Sequence, residues 1–334
     1  MTTGTVSRYL LKRRPVGVPT ADDFDFVKTP FEPLAAGEIR VANRYVSIDP
    51  AMRGWMTAMP SYLPPVELGA VMRAFGVGEV VESRHDAWPV GALVSGMLGV
   101  QSHFVGSGKG LSPIQQHGIP LSAFVGPVGV PGLSAYFGLL EVGQPKPGQT
   151  VLVSGAAGAV GSIVGQIARI KGCRVVGIAG GPDKCRHLVD ELGFDAAIDY
   201  KNQSVKAAIR ETCPDGIDIY FDNVGGEILN AALTRLALGA RVVICGAISQ
   251  YNATSLPPGP SNYLALLIRR ARMEGFIVID YMHRAPEAIG QLAEWIAAGD
   301  IKYRETLVDG LELFPETFVR LFSGEKLGKL ALRL

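Results

Sequence analysis

The sequence predicts an α/β protein: a doubly wound parallel sheet joined to a β-rich domain. Three observations carry this. Residues 151–161 (VLVSGAAGAVG) are a short apolar run that breaks into small residues and leads into a helical pattern. From about residue 128 onward, apolar strand-like runs alternate with helical stretches, the order expected of parallel strands linked by crossover helices. Before about residue 125 the chain is rich in Gly, Pro and β-branched residues, with short alternating segments separated by turns.

The elements follow in order. In the first part, residues 38–46 and 76–82 alternate like half-buried strands, and 91–94 and 101–105 are shorter candidates. A helix is expected over 131–140, and Pro145, Pro147 and Gly148 mark a turn. The parallel sheet then calls for strands at 151–153, 174–179, 196–199, 217–221, 241–245 and 276–279. Its helices are expected at 159–171, 183–192, 205–211, 227–236, 264–272 and 286–298. The tail has a short helix near 315–322 and an apolar terminal strand at 330–334, which suits packing against the first domain. Residues 1–125 and 300–334 thus form the β-rich part, and 126–299 the sheet with its helices.

Composition sets bounds. At 334 residues the chain has room for two domains, and 48% apolar content supports full cores. A net charge of +1 gives no reason to expect nucleic acid or an anionic membrane as partner. The chain has no apolar run of spanning length, and its first residues carry no signal-like apolar stretch, so a cytoplasmic protein is expected. Cys173, Cys185, Cys213 and Cys245 show no paired ligand spacing, and the five histidines are scattered. Neither a disulfide framework nor a metal site is expected.

The strand–turn–helix–strand of residues 151–179 is the context a dinucleotide site requires. Small residues at the turn let backbone N–H groups approach a pyrophosphate at a helix N-terminus. The glycine pattern is imperfect: Ala156 stands in the first glycine position, with Gly158 and Gly161 in place. NAD sites usually carry an acid about 20 residues further on, for the ribose 2′-hydroxyl. Here the second strand ends in Ala179, Gly180 and Gly181, followed by Lys184, with Arg186 nearby and Asp183 weakening the field. That combination favours NADP(H).

Motifs spread over nearly the whole chain carry a resemblance: residues 47–53 (SIDPAMR), 154–161 (SGAAGAVG), 171–177 (KGCRVVG), 192–195 (LGFD), 220–226 (YFDNVGG), 245–252 (CGAISQYN) and 327–329 (LGK). The chain resembles the medium-chain dehydrogenase/reductase superfamily. It is similar in particular to the zinc-independent branch of prostaglandin reductases, plant 2-alkenal double-bond reductases and bacterial curcumin reductases. The resemblance implies a Rossmann domain beside a GroES-like β-rich domain. It also implies cofactor contacts from Ala157, Gly158, Ala159, Val160 and Gly161 at the turn, and from Gly180, Lys184 and Tyr200 on the 2′-phosphate side. On the nicotinamide side it implies Asn223, the loop of Cys245, Gly246, Ala247, Ile248, Ser249 and Tyr251, and Phe276 and Val278. Two departures stand out: Ala51 replaces a Tyr that members often carry, and Lys326 stands where plant and animal members commonly have Asn; residues 67–70 also lack the histidine of the zinc branch.

What the resemblance implies chemically is an NADPH-dependent reductase of the C=C bond of α,β-unsaturated ketones and aldehydes, with hydride delivered to the β-carbon. Tyr251 and Tyr62 are the candidate hydrogen-bond donors to the developing enolate. Tyr62, Tyr251 and Tyr263 are the candidate substrate contacts, with Ser249 a weaker alternative. A cofactor hydroxyl or water is another proton source. A quinone reductase and a non-catalytic NADPH-binding protein remain alternatives. A homodimer is expected through the last strand of the sheet, read as the apolar segment 276–279.

Overall fold

The computed structural model describes residues 4–334 apart from Pro60, His117 and Lys326. In chain order the first strands are β1 (Thr5–Leu11), β2 (Phe24–Pro30), β3 (Ile39–Ser47), β4 (Gly76–Ser83), β5 (Leu93–Gly96), β6 (His103–Gly106) and β7 (Ser112–Pro113), with a short helix α1 (Ala51–Trp55) after β3. Then come α2 (Val130–Phe137), β8 (Thr150–Ser154), α3 (Gly161–Ile170), β9 (Arg174–Ala179), α4 (Pro182–Arg186), β10 (Ala196–Asp199), α5 (Val205–Thr212), β11 (Ile217–Asp222), α6 (Gly226–Leu233), β12 (Leu236–Ile244), α7 (Leu264–Arg269), β13 (Arg272–Gly275) and α8 (Ala285–Ala297). The chain ends with β14 (Glu305–Asp309), α9 (Phe314–Ser323) and β15 (Lys329–Arg333).

Two compact units result. One runs to Gly126 and takes in most of the return from Glu305; the other is Pro127–Arg304 with the strap Leu327–Lys329. The first unit holds a sheet in the order β14-β15-β3-β4-β5-β7, with β6 also on β3, and a separate β1-β2 hairpin. Its larger core gathers Leu11, Phe24, Met52, Trp55 and Met72 with Phe314 and Phe318 of the C-terminal helix. Tyr9 joins the two ends of the chain: its ring lies 5.3 Å from that of Phe314, and its hydroxyl donates to the Glu312 carbonyl at 2.8 Å.

The second unit is a six-stranded parallel sheet in the order β10-β9-β8-β11-β12-β13. Every residue of β8 is buried, as a strand covered on both faces must be. The sequence read six parallel strands, and six form, but the last is not where it was expected. Residues 276–279 are not a strand; β13 is Arg272–Gly275, paired in register with Arg241–Ile244. The apolar character of 276–279 serves packing instead. The Phe276 ring lies 6.4 Å from Phe221 and 6.5 Å from Tyr281, and Val278 opens a 3-10 turn. Ring packing at Phe276 overrode the strand preference of a β-branched run, and Ile279 is left exposed.

Other boundaries move for similar reasons. The helix expected to begin at Ala159 starts at Gly161, because 155–160 form the turn. The helix expected to reach Leu236 stops at Leu233, since Leu236 pairs with Ile217. The helix expected to reach Arg272 ends at Arg269, where Arg270 turns left-handed at φ 47°. The expected helix 183–192 is an α-turn followed by a wider π-turn. β1, β2 and β14 were not among the expected strands, although Pro15, Gly17 and Pro19 mark the turn between the first two.

Candidate active site

In the second unit the strand order reverses between β8 and β11, which lie side by side. Open α/β sheets bind ligands at such a reversal, outside the carboxyl ends of the strands. Each of the six strand ends carries sequence-predicted site residues: the 157–161 turn after β8, Gly180 and Lys184 after β9, Tyr200 after β10, Asn223 after β11, the 245–251 loop after β12, and Phe276 after β13. The fold gathers residues 120 positions apart onto one edge.

The turn after β8 meets the geometric demand of a pyrophosphate cradle. Gly155 takes φ 58°, so the left-handed residue lies one place before the alanine that breaks the glycine pattern. At Gly161 a Cβ would meet the Gly155 carbonyl at 2.5 Å, so only glycine lets the helix start this close to the strand. Gly158 N–H donates to Gly155 O at 2.9 Å, and the strap closes on the same turn, with Gly328 N–H donating to Ala157 O at 2.9 Å.

At the ends of β8 and β11 a buried carboxylate organises the half of the edge that bears Asn223. Asp222 is 1% exposed. Its Oδ1 accepts from Tyr220 hydroxyl (2.7 Å), Ser154 hydroxyl (2.8 Å), Val224 N–H (2.9 Å) and Gly225 N–H (3.0 Å). Asn223 is locked in turn: its N–H donates to Ser154 Oγ and its Nδ2 to Ser154 O. The 245–251 loop hangs from the same framework. Cys245 N–H and Gly246 N–H donate to Asp222 O, Ile248 N–H to Asn223 O, and Ser249 Oγ to Val224 O. Burial, reinforced by Asp222, pushes the Cys245 thiol up to about 12. It therefore stays protonated and unreactive at neutral pH. The same two causes raise Tyr220 well above the usual range for a phenol.

Tyr251 closes this loop on itself, its hydroxyl oxygen accepting Ala247 N–H at 3.1 Å. Asp222 and Ser154 were not singled out from sequence. The available signal was a polar residue ending each of two adjacent buried strands.

The ends of β9 and β10 form the other half. The Tyr200 ring lies against Gly180, where a Cβ would come within 2.8 Å of it. No carboxylate ends β9. Arg186 is ion-paired with Asp183, both well exposed, so the acid expected to weaken the local field is offset by its own neighbour. The Lys184 ammonium is pulled below its ordinary value by burial and then by Lys201. A group carrying a pyrophosphate and a further ribose phosphate fits this donor set.

In the first unit, Tyr62 is half-exposed in a loop near the Arg73 guanidinium. Burial draws that guanidinium down, with Tyr62 acting in the opposite sense. The 47–53 motif has a structural part: buried Arg53 donates to the carbonyls of Pro15 and Gly17. Tyr263 stands exposed at the start of α7. Lys326 lies outside the described residues. Among the described residues no three His, Cys, Asp or Glu side chains form a group able to hold a metal.

A Rossmann unit of this strand order, joined to an antiparallel β unit, defines a nucleotide-dependent oxidoreductase fold. Residues 7–114 match the family model described as the N-terminal domain of oxidoreductase, and residues 159–297 the one described as zinc-binding dehydrogenase. The chain is 43% identical to the NADPH-dependent curcumin reductase of Escherichia coli, over 98% of this chain and 96% of that one. It is 42% identical to prostaglandin reductase 1 of Rattus norvegicus, over 96% and 97%. Among solved structures it is similar to CurA from Vibrio vulnificus in complex with NADPH, with TM-score 0.93 and 43% identity over 98% of both chains. The chain belongs to the medium-chain dehydrogenase/reductase family, in the branch of the curcumin and prostaglandin reductases.

Proposed function

We propose that this protein is an NADPH-dependent reductase of the C=C bond in α,β-unsaturated ketones and aldehydes. The observation that carries the reading is the pairing of two features on one strand edge: an Asp222-centred loop after β11 and β12, and a β9 that ends without a carboxylate and leads to Lys184. Relatives with whole-chain similarity are named NADPH-dependent curcumin reductase, prostaglandin reductase 1 and NADP(+)-dependent 2-alkenal reductase, which supports it. When bound, NADPH supplies the hydride that adds to the β-carbon of the substrate. The chain's part is to hold the partners in line and to stabilise the charge that develops on the substrate's carbonyl oxygen.

Residues 157–161 hold the pyrophosphate, Lys184 and Tyr200 the 2′-phosphate, and Asn223 with the 245–251 loop the nicotinamide. The backbone at Phe276 and Val278 adds to the last of these, since the Phe276 ring is taken up in packing. The Tyr251 hydroxyl donates a hydrogen bond to the developing enolate oxygen, while the α-carbon takes its proton from water or a cofactor hydroxyl. Accepting the Ala247 N–H polarises that hydroxyl toward donation. Tyr62 is the second donor, and Tyr263 borders the substrate. Conjugate addition spreads charge over an enolate, which one or two hydrogen bonds can hold. The β-rich unit is the substrate domain and the parallel-sheet unit the cofactor domain.

The test is reduction of an alkenone with C4-deuterated NADPH, alongside an alkenal and a quinone. Deuterium at the β-carbon with the carbonyl intact is expected. An allylic alcohol labelled on its carbinol carbon would overturn the reading. Turnover is expected to need no zinc and to survive prolonged chelation; one zinc per active chain would reject this. A homodimer is also proposed, on a different basis from the apolar edge strand first expected. At the sheet edge β13 is polar, but Leu264, Leu267 and Ile268 form one exposed apolar face of the preceding helix. Sedimentation of a single 35.5 kDa species at micromolar concentration would reject it. The proposed compartment is the cytoplasm, on four cysteines that are all free thiols.

A further inference from the structure

At the ends of β9 and β10 one carboxylate ties two turns together. Asp199 is 8% exposed. Its Oδ1 accepts Gly181 N–H at 2.8 Å and Lys201 N–H at 3.0 Å, and its Oδ2 accepts Asn202 Nδ2 at 2.7 Å. Its own N–H donates to Gln203 Oε1 at 3.0 Å, and Tyr200 N–H donates to Ala179 O at 3.1 Å. The turn that leads into Lys184 and the turn that carries Lys201 are therefore held in fixed register by a single side chain. The Tyr200 ring, laid on Gly180, fills the seam between them.

The arrangement also settles what the acid does. A carboxylate near this edge would repel a 2′-phosphate if it faced the ligand. Here it faces backbone N–H groups. Although burial opposes ionisation, bonds from Gly181, Asn202 and Lys201 hold the Asp199 carboxyl below its ordinary range. The geometry sets Lys201 beside the Lys184 turn, because one Asp199 oxygen accepts the N–H of both Gly181 and Lys201; in keeping with that, burial first and Lys201 second lower the affinity of Lys184 for its proton. Two like charges brought together by a rigid turn repel, and an anion seated between them relieves that repulsion.

We propose that Lys201 is a second cation for the cofactor's 2′-phosphate, acting beside Lys184, and that Asp199 is the positioning residue that sets its turn. The proposal rests on the reading of this end as the 2′-phosphate site. Arg186 takes no such part, being paired with Asp183.

The experiment is equilibrium binding to the full-length protein, by calorimetry, of two probes that lack nicotinamide: 2′,5′-ADP and 5′-AMP. The unmutated protein is expected to prefer 2′,5′-ADP. If it does not, the phosphate-site reading itself fails, before any variant is made. Lys201→Gln, a change at an exposed position, is expected to weaken 2′,5′-ADP about ten-fold, the order of one charge-assisted hydrogen bond, and to leave 5′-AMP unaffected. No loss, or an equal loss for both probes, would overturn the role of Lys201. Asp199→Ala is expected to erase much of the preference, and Asp199→Asn, which keeps an acceptor for the two N–H groups, to restore most of it. An unchanged preference in Asp199→Ala, or no rescue by Asn, would overturn the positioning role.

Discussion

After β8 and β11, Asp222 is sealed from solvent, and one of its oxygens takes four hydrogen bonds that fix Asn223 and, through them, the 245–251 loop. After β9 and β10, Asp199 holds two backbone turns and the Asn202 amide, while Tyr200 and Lys201 stay exposed. Both ends use a carboxylate as an internal anchor, yet they differ in tolerance. Chemistry at a carbon atom fails with small misplacement, so the first end is buried and over-determined. Recognition of a phosphate depends on net field, so lysines carried on anchored turns suffice at the second. Perturbing the two ends should therefore give different kinds of failure.

The largest effect is expected from Asp222→Ala. It leaves two backbone N–H groups and two hydroxyls without their acceptor, and about 3–5 kcal/mol of stability should be lost, as when one partner of a buried charged network is removed. Denaturant unfolding would measure it. A loss below about 1 kcal/mol, the size of one ordinary hydrogen bond, would show that the two ends are anchored alike after all.

Next is Tyr251→Phe. Turnover should fall by roughly 10²–10³-fold, the range for losing one donor to an oxyanion. Because the hydroxyl also closes the loop on Ala247, a modest rise in the KM for NADPH is expected as well. Unchanged kcat with a large rise in KM would make Tyr251 a loop residue alone and leave the oxyanion to Tyr62 or water.

At the other end, Lys184→Ala should weaken NADPH by about 1–3 kcal/mol and NADH little, the range for a hydrogen bond to a charged group. Equal Michaelis constants for the two cofactors in the unmutated enzyme would erase the contrast.

The smallest effect concerns acid. The Asp199 carboxyl is depressed in the folded chain, so it adds stability above its unfolded value near 4. That contribution is lost as pH falls through the lower folded value. Asp199→Asn should lose that contribution above about pH 4 and so flatten the acid limb, its curve converging on the original as pH falls. A variant curve that parallels the original throughout would remove Asp199 from the acid response.

Much of this was open to reading in the chain itself. Local patterns mark β8, β9 and the turn between them, because a fully buried strand must be apolar along its length and a close helix start must be glycine. The absence of an acid after β9 is likewise a local fact that bears on cofactor choice. The family resemblance pointed to Lys184, Tyr200, Asn223 and the 245–251 loop without revealing how they are held.

Tertiary structure decided the rest. Residues 276–279 read as a strand by composition, yet Phe276 is drawn into a ring cluster with Phe221 and Tyr281, and the polar segment before it takes the edge position. Gly155 rather than Ala156 proved to be the left-handed residue of the turn. Asp222 and Asp199 look alike in sequence, each an acid closing a short apolar strand. One became the sealed centre of four hydrogen bonds and the other a clamp beneath two exposed turns, because their neighbouring strands, set by long-range pairing, supply different donors.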